Sequence, residues 1–319
     1  MHIDGKFTKS IKLLVSVFLL NLRQQESGNL MDQSICNNSD NKFVTQKYAH
    51  IKKTYAHLPL NKYQSDIYSQ NGEDGVISEI LQRLKTSEVK EWCVEFGAWD
   101  GKHLSNTFAL VKNQNYQAIY IESDNTRFKD LLVTSAQNPR IIPICKKISR
   151  VYGSENSLDS ILGTTLIPKD FALLSIDVDG YDLDIWESLT NYQPLVVVIE
   201  INSNVLPGII WRHSSTTPGN TFTATLNVAK EKGYALVCHT GNLIFVRNDH
   251  VQQLNIGQRF ISFPELLFLF EAEWFPKQIC IQKKEKPFRL FCLRLGVKII
   301  PKSCKDFLKR VFKSFGLNH

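Results

Sequence analysis

The sequence predicts an α/β fold: a mostly parallel sheet covered by helices and finished by an antiparallel hairpin. Three observations carry that expectation. Short, largely apolar runs recur at 92–96, 118–121, 141–144, 172–176 and 195–201. They show little of the in-out alternation of a half-exposed sheet, so they suit strands buried on both faces. Stretches of helical periodicity near 104–112, 125–136, 182–190 and 221–232 fall between or after them. Two further runs, 234–239 and 243–247, are separated by Thr240, Gly241 and Asn242, a composition that suits a hairpin turn.

Taken in order, the chain opens with an apolar stretch from Ile11 to Leu20 behind Lys6, Lys9 and Lys12. Ten residues cannot span a bilayer about 30 Å thick as a helix. The stretch is basic at its start like a signal peptide but lacks a small-x-small cleavage pattern, so a membrane-surface or packed helix is favoured over a cleaved signal. Residues 24–60 are polar without sustained periodicity and read as a lead-in. In 74–85, Val76, Ile77, Ile80, Leu81 and Leu84 share one helical stripe. The predicted organisation is an extension over 1–60, the main domain over 61–250 and a basic tail over 251–319.

Composition narrows the class. The 319 residues are 43% hydrophobic and 22% charged, enough to bury a core and unlike a disordered or fibrous chain. Seven cysteines are scattered singly without CxxC spacing, which argues against a disulfide framework or zinc knuckle and for a reducing compartment. Cys93 and Cys238, inside apolar runs, suit small core hydrophobes. The net charge of +7 is unevenly placed, because residues 277–319 hold 12 basic side chains against 2 acidic ones. Within them, Phe307, Leu308, Val311, Phe312 and Phe315 face away from Lys305, Lys309, Arg310 and Lys313, behind a cap-like Ser303 and Asp306. Such a helix either packs its aromatic face or lies on an anionic membrane. The body is slightly acidic and no nucleic-acid motif accompanies the tail, so nucleic acid is not the expected partner. The expected location is cytoplasmic, at most peripheral to the inner face of a membrane.

The candidate chemistry sits at strand ends, where open parallel sheets bind ligands. The first strand runs into Glu95, Phe96, Gly97, Ala98, Trp99, Asp100 and Gly101. Glycine permits a tight turn and close approach of a ligand to the backbone. The next strand ends at Glu122, about twenty residues on, where a carboxylate can accept both ribose hydroxyls. The loop is G-x-x-x-G with acids at Glu95 and Asp100, not the G-x-G-x-x-G that seats a pyrophosphate. Acids suit a ligand bearing an ammonium and a sulfonium, so S-adenosylmethionine is preferred to NAD. An ordinary βα turn with a solvated Glu122 is the plain alternative.

Six segments in order now carry a resemblance. They are YSQNGEDGVI (68–77), VEFGAWDGKHLSNT (94–107), IYIESD (119–124), SIDVDGYDLDIW (175–186), VVVIEIN (196–202) and KGYALVCHTGNLIFVR (232–247). Together they resemble the FkbM-like branch of class I S-adenosylmethionine-dependent methyltransferases, over about residues 63–250. The resemblance implies a Rossmann-like, seven-stranded sheet and methyl transfer to a hydroxyl of a glycan or related metabolite. It implies a cofactor loop of Gly97, Ala98 and Gly101 beside Glu95, and a ribose held by Glu122 next to Ser123. It places Ser69, Gln70 and Glu73 at the cofactor or substrate entrance. One departure stands out: many class I methyltransferases carry an acid after the third strand to bind the adenine amine, whereas Cys145, Lys146 and Lys147 stand here. That departure motivates the alternative of a catalytically silent, methyltransferase-like binding or scaffold protein in glycan assembly.

A second group of acids, Asp177, Asp179, Asp182 and Asp184, follows the fourth strand, with Glu200 and Asn202 at the fifth. Methyl transfer to an unactivated hydroxyl needs a base, and Asp177 or Asp179 are the candidates, with His103 as another. The same acids can instead hold a divalent cation, or serve structural roles; all three readings stay open here. Asp182 and Asp184 also suit the start of a helix. Glu200, Asn202 and His213, with Trp211 and Arg212, are the candidate contacts to an acceptor. His239, at the end of an apolar strand, is expected to be packed and hydrogen-bonded.

Overall fold

The computed structural model describes residues 55–84 and 90–269. The expectations for Ile11–Leu20, for the tail helix and for Cys36, Cys280, Cys292 and Cys304 lie outside the described residues, as does most of the lead-in. Seven strands form one sheet: β1 (Lys90–Phe96), β2 (Gln117–Glu122), β3 (Ile141–Cys145), β4 (Phe171–Ile176), β5 (Val196–Glu200), β6 (Tyr234–His239) and β7 (Asn242–Arg247). Their order is β3-β2-β1-β4-β5-β7-β6. The first five run parallel, and β7 inserts antiparallel between β5 and β6. This is the Rossmann-like methyltransferase arrangement expected from the sequence.

Burial explains the apolar runs. Every residue of β4 is buried, as are Val196 to Ile199 of β5, so neither strand needs a polar face. Helix α1 (Glu73–Arg83) buries Val76, Ile77, Ile80 and Leu81, the stripe seen in the sequence. Helix α2 runs Phe108–Gln114, α3 runs Asn125–Gln137, and α4, a short helix at Leu158–Leu162, precedes β4. Helices α5 (Asp182–Ser188) and α6 (Phe222–Glu231) follow β4 and β5. Asp124 caps α3 by accepting from the backbone N–H groups of Thr126 and Arg127, and Thr221 caps α6 through Ala224 N.

Two differences from the expected elements have local causes. Helix α2 starts at Phe108 rather than near 104, because Ser105, Asn106 and Thr107 are tied to Glu95 instead of continuing a helix. Helix α4 is five residues long, too short for a periodic signal. Past β7, Val251, Leu254, Phe260 and Leu267 to Leu269 are buried, so this stretch contributes to the core. Among the described residues, no helix is long and apolar enough to cross a membrane.

The strand order fixes where a ligand can sit. From β1 the sheet winds one way through β2 and β3 and the other way through β4 and β5. The connections diverge between β1 and β4, leaving a crevice beyond their carboxyl ends.

Candidate active site

A cavity of about 640 Å³ opens at that crevice. Its walls come from the ends of β4 and β5, the start of α1, the β1–α2 loop and the β6–β7 turn. Acids contribute Glu73, Asp177, Asp179, Asp182 and Glu200; amides contribute Gln70, Asn71, Asn106, Asn202, Asn204, Asn220 and Asn242. Among the described residues, no Lys, Arg or His lines it.

The acids divide into those spent on holding the cavity together and those left facing it. Glu73, fully buried, accepts from Thr240 Oγ1 (2.8 Å) and Asn242 Nδ2 on one oxygen and from Asn71 N (2.7 Å) on the other. It joins the first turn of α1 to the β6–β7 turn, and burial pushes its carboxyl up to about 7. Asp182 accepts from Val178 N (2.7 Å) and Gly180 N (2.8 Å), so it shapes the β4–α5 loop. Burial raises this carboxyl too, against those two hydrogen bonds.

Asp177, Asp179 and Glu200 form the open group. Each can place one carboxylate oxygen within 4.8 Å of the others. Asp177 is exposed at the cavity, although protein fills most of the space around its carboxyl. Burial first, and then the charges of Asp182 and Asp179, push it up to about 7. Burial and the charge of Asp177 push Glu200 up to about 8. Neighbouring carboxylates at this range resist simultaneous ionisation, which adds to the upward shift of Asp177 and Glu200. Asp179 has φ +55, a strained conformation for a non-glycine residue.

The glycine turn lies next to this group. Gly97 has φ +75, and a Cβ there would stand 1.7 Å from the Asp177 carbonyl oxygen. Glycine is therefore required by the close approach of two loops of the protein itself. Glu95 is buried and accepts from Ser105 Oγ, Thr107 Oγ1 and Asn106 N. Asn106 in turn donates to Ser175 Oγ (3.1 Å) on β4. Glu122 is also buried, and accepts from Trp99 N (2.9 Å) on one oxygen and Asp124 N (2.7 Å) on the other. Each of those oxygens has a second lone pair with which to accept.

Of the residues singled out in the sequence, Gln70, Asp177, Asp179, Glu200 and Asn202 line the cavity together with Glu73. Glu95, Gly97, Ala98, Gly101, Glu122 and Ser123 stand at the neighbouring β1 and β2 ends and do not line it. Ser69 is buried and cross-bonded with Asp74 and Asp66. His103 is exposed, with its ring 5.3 Å from that of Trp99. His213 braces the wall from behind: its Nδ1 accepts from Gly219 N and its ring meets Tyr181 at 4.8 Å. Arg212 is held by Asp184 and by both oxygens of Glu187. His239 is buried, accepting from Leu269 N (3.0 Å) on Nδ1 and meeting Ser203 Oγ (2.9 Å) through Nε2, as a packed histidine should. Sequence reasoning missed Asn71, Asn106, Ser203, Asn220 and Asn242. Asn71, Asn106 and Asn242 stood inside quoted segments, but an amide in a loop announces nothing until its neighbours in space are known.

Residues 83–235 match the family model described as Methyltransferase FkbM domain. The chain carries an FkbM methyltransferase domain. No curated protein matches the chain in sequence. The chain is similar to several solved structures, all of low identity and with TM-scores below 0.5. TYW2 of M. jannaschii, in complex with AdoMet, is 16% identical over 57% of this chain and 78% of that one, with a TM-score of 0.31. The CMeT domain of the citrinin polyketide synthase is 12% identical over 57% of this chain and 55% of that one, at 0.38. A putative caffeoyl-CoA O-methyltransferase from Staphylococcus aureus is 15% identical over 73% and 98%, at 0.35. The architecture of the FkbM domain stands on its own strand order, and its chemistry on its own cavity.

Proposed function

We propose that the chain transfers a methyl group from S-adenosylmethionine to a hydroxyl oxygen of a polyhydroxylated, non-anionic acceptor, a sugar of a glycan or related metabolite. The observation that carries this reading is the cavity wall at the β1–β4 crevice: acids and amides, without a basic side chain among the described residues. Amides both donate and accept, which suits hydroxyl groups. A phosphate or carboxylate on the acceptor would meet like charge and no cation. The same wall suits a cofactor whose reacting end carries an ammonium and a sulfonium. Gly97, Gly101 and Glu122 stand where the nucleoside half of that cofactor would enter.

When bound, S-adenosylmethionine supplies an electrophilic methyl group to an in-line nucleophile. Asp177 would take the acceptor's hydroxyl proton as the new O–CH₃ bond forms and the S–CH₃ bond breaks, leaving S-adenosylhomocysteine and a protonated carboxyl. A carboxyl lifted toward neutral pH by burial is better matched to that task than an ordinary one. Glu200 and Asp179 would orient the hydroxyl, and the amides of Asn202 and Asn220 the rest of the ring. A second reading keeps the same acceptor but uses Asp177, Asp179 and Glu200 to hold a divalent cation that acidifies the hydroxyl; their three oxygens within 4.8 Å favour it.

The test is transfer of labelled methyl groups from S-adenosylmethionine to a panel of free, phosphorylated and uronic sugars, with the wild-type chain and Asp177→Asn. Transfer to neutral sugars, lost in the variant, is the expected result. Labelling confined to the anionic members would overturn the acceptor assignment, and unchanged turnover by Asp177→Asn would remove the base.

A further inference from the structure

Trp99 is an expensive residue in its position. It lies between Gly97 and Gly101 with φ +48, in the left-handed region, which costs a non-glycine residue about 1–2 kcal/mol. Glycine would adopt that conformation freely. The indole is also 40% exposed, while Trp186 is fully buried in the core. A strained backbone that presents a large aromatic side chain to solvent points to a ligand contact.

The neighbours say which side of the crevice the indole serves. Its backbone N–H donates to Glu122 Oε2 (2.9 Å), so the residue sits over the end of β2. The guanidinium of Arg127, in the first turn of α3, lies 4.1 Å from the centre of a Trp99 ring. Arg127 holds the indole beside the start of α3, the helix that follows β2, and His103 meets it edge-on at 5.3 Å. On that side β3 ends at Cys145, in register with Glu122, and Lys146 N donates to Glu122 O (3.2 Å). No carboxylate stands in residues 146–154, directly after β3, to receive the amine of a purine.

We propose that Trp99 is the purine platform of this site: its indole stacks on the adenine of an adenosyl ligand, and stacking replaces the missing carboxylate. The proposal rests on the reading of the chain as an S-adenosylmethionine-dependent enzyme. Stacking of a base on an aromatic side chain needs no charged partner, and Arg127 on the same indole completes a cation–π–aromatic layer. Glu122 then has two tasks, fixing the loop through Trp99 N and presenting its remaining lone pairs to a ribose.

The experiment is calorimetric titration of the full chain with S-adenosylhomocysteine, using wild type, Trp99→Phe, Trp99→Ala and Trp99→Gly, alongside tryptophan emission and thermal unfolding without ligand. Removal of the ring in the Ala and Gly variants should raise Kd by about fivefold to about 150-fold. Trp99→Phe should stay close to wild type in affinity but lose most of the ligand-induced change in emission. Trp99→Gly should unfold no earlier than wild type, because glycine accepts φ +48, so its weaker binding would not be a folding defect. Binding by Trp99→Gly within twofold of wild type, or binding by Trp99→Phe as weak as that of Trp99→Gly, overturns the platform and leaves the cofactor reading intact. Failure of the folded wild-type chain to bind S-adenosylhomocysteine would overturn the cofactor reading itself, and the platform with it.

Discussion

Gly97 and Asp177 meet backbone to backbone: a Cβ on residue 97 would lie 1.7 Å from the Asp177 carbonyl oxygen. The turn after β1 and the exit from β4 are thereby locked to one another, and the first acid of the cavity takes its position from a glycine eighty residues earlier. Gly97→Ala must strain φ and push the two loops apart, so a loss of about 3 kcal/mol or more is expected. Gly233 provides the control. Its φ is +83 but nothing lies within 4 Å of its would-be Cβ. Gly233→Ala should therefore cost only the conformational term, about 1–2 kcal/mol. Urea unfolding of both variants measures the difference; equal losses would show that the contact with Asp177 contributes nothing.

Asp177 should leave a signature in the pH dependence of both turnover and stability. Its carboxyl is raised to about 7 from 3.8, mainly by burial, so the folded chain holds this proton more tightly than the unfolded one. The stability it contributes is fully present below pH 3.8 and is lost as the pH rises through about 7. Asp177→Asn cannot ionise, so its unfolding midpoint should gain on that of wild type as the pH rises from about 4 to about 7, read by thermal melts at matched ionic strength. Turnover should move the other way. The wild-type rate should climb as Asp177 loses its proton near pH 7, and the Asn variant should be slower by about 10²–10⁴-fold.

His239 should act at the acid end. Burial lowers it from 6.5 to about 3, and its two nitrogens are engaged by Leu269 N and Ser203 Oγ. A depressed histidine contributes stability that is present above pH 6.5 and lost as the pH falls through about 3. Nδ1 accepts from Leu269, so Nε2 carries the proton and donates to Ser203, whose hydroxyl donates on to Gly241 O (2.7 Å). His239→Leu leaves the Leu269 N–H without its acceptor, a loss of about 1–3 kcal/mol. It should also flatten the decline in unfolding midpoint between pH 6 and pH 4. A decline of undiminished slope would place the acid sensitivity elsewhere.

The sheet was legible because buried parallel strands write themselves as apolar runs; β4, buried throughout, was found to within one residue. The hairpin was legible from its Thr-Gly-Asn turn. Residues that act through strand-end position, such as Asp177 and Glu200, could be placed once the strands were known. What stayed hidden depends on contacts between distant loops. Asn220 reaches Gly180 O across forty residues, and Glu73 reaches Thr240 across 167. No local pattern encodes either partner. Asp182 stands in the first turn of α5 as its sequence position suggested, but its hold on Val178 and Gly180 was hidden for the same reason. His103 and His213 were candidate contacts by residue type, and the folded loops give them Trp99 and Gly219 as partners.

Chelation separates the two uses of the open acids. If Asp177 acts as a base, the chain freed of divalent ions by EDTA and transferred to metal-free buffer should methylate its acceptor at an unchanged rate. Glu200→Gln should then retain activity within about tenfold, since it orients the acceptor rather than taking the proton. If the three oxygens within 4.8 Å hold a cation, chelation should abolish turnover and Mg²⁺ or Mn²⁺ should restore it. In that case Glu200→Gln and Asp179→Asn should both raise the metal concentration needed for half-maximal rate, because each removes a charged ligand. Binding of S-adenosylhomocysteine serves as the internal control in both arms. It should survive EDTA, since Trp99 and Glu122 lie at the β1 and β2 ends and not among the three acids; its loss on chelation would instead tie the acid cluster to the cofactor.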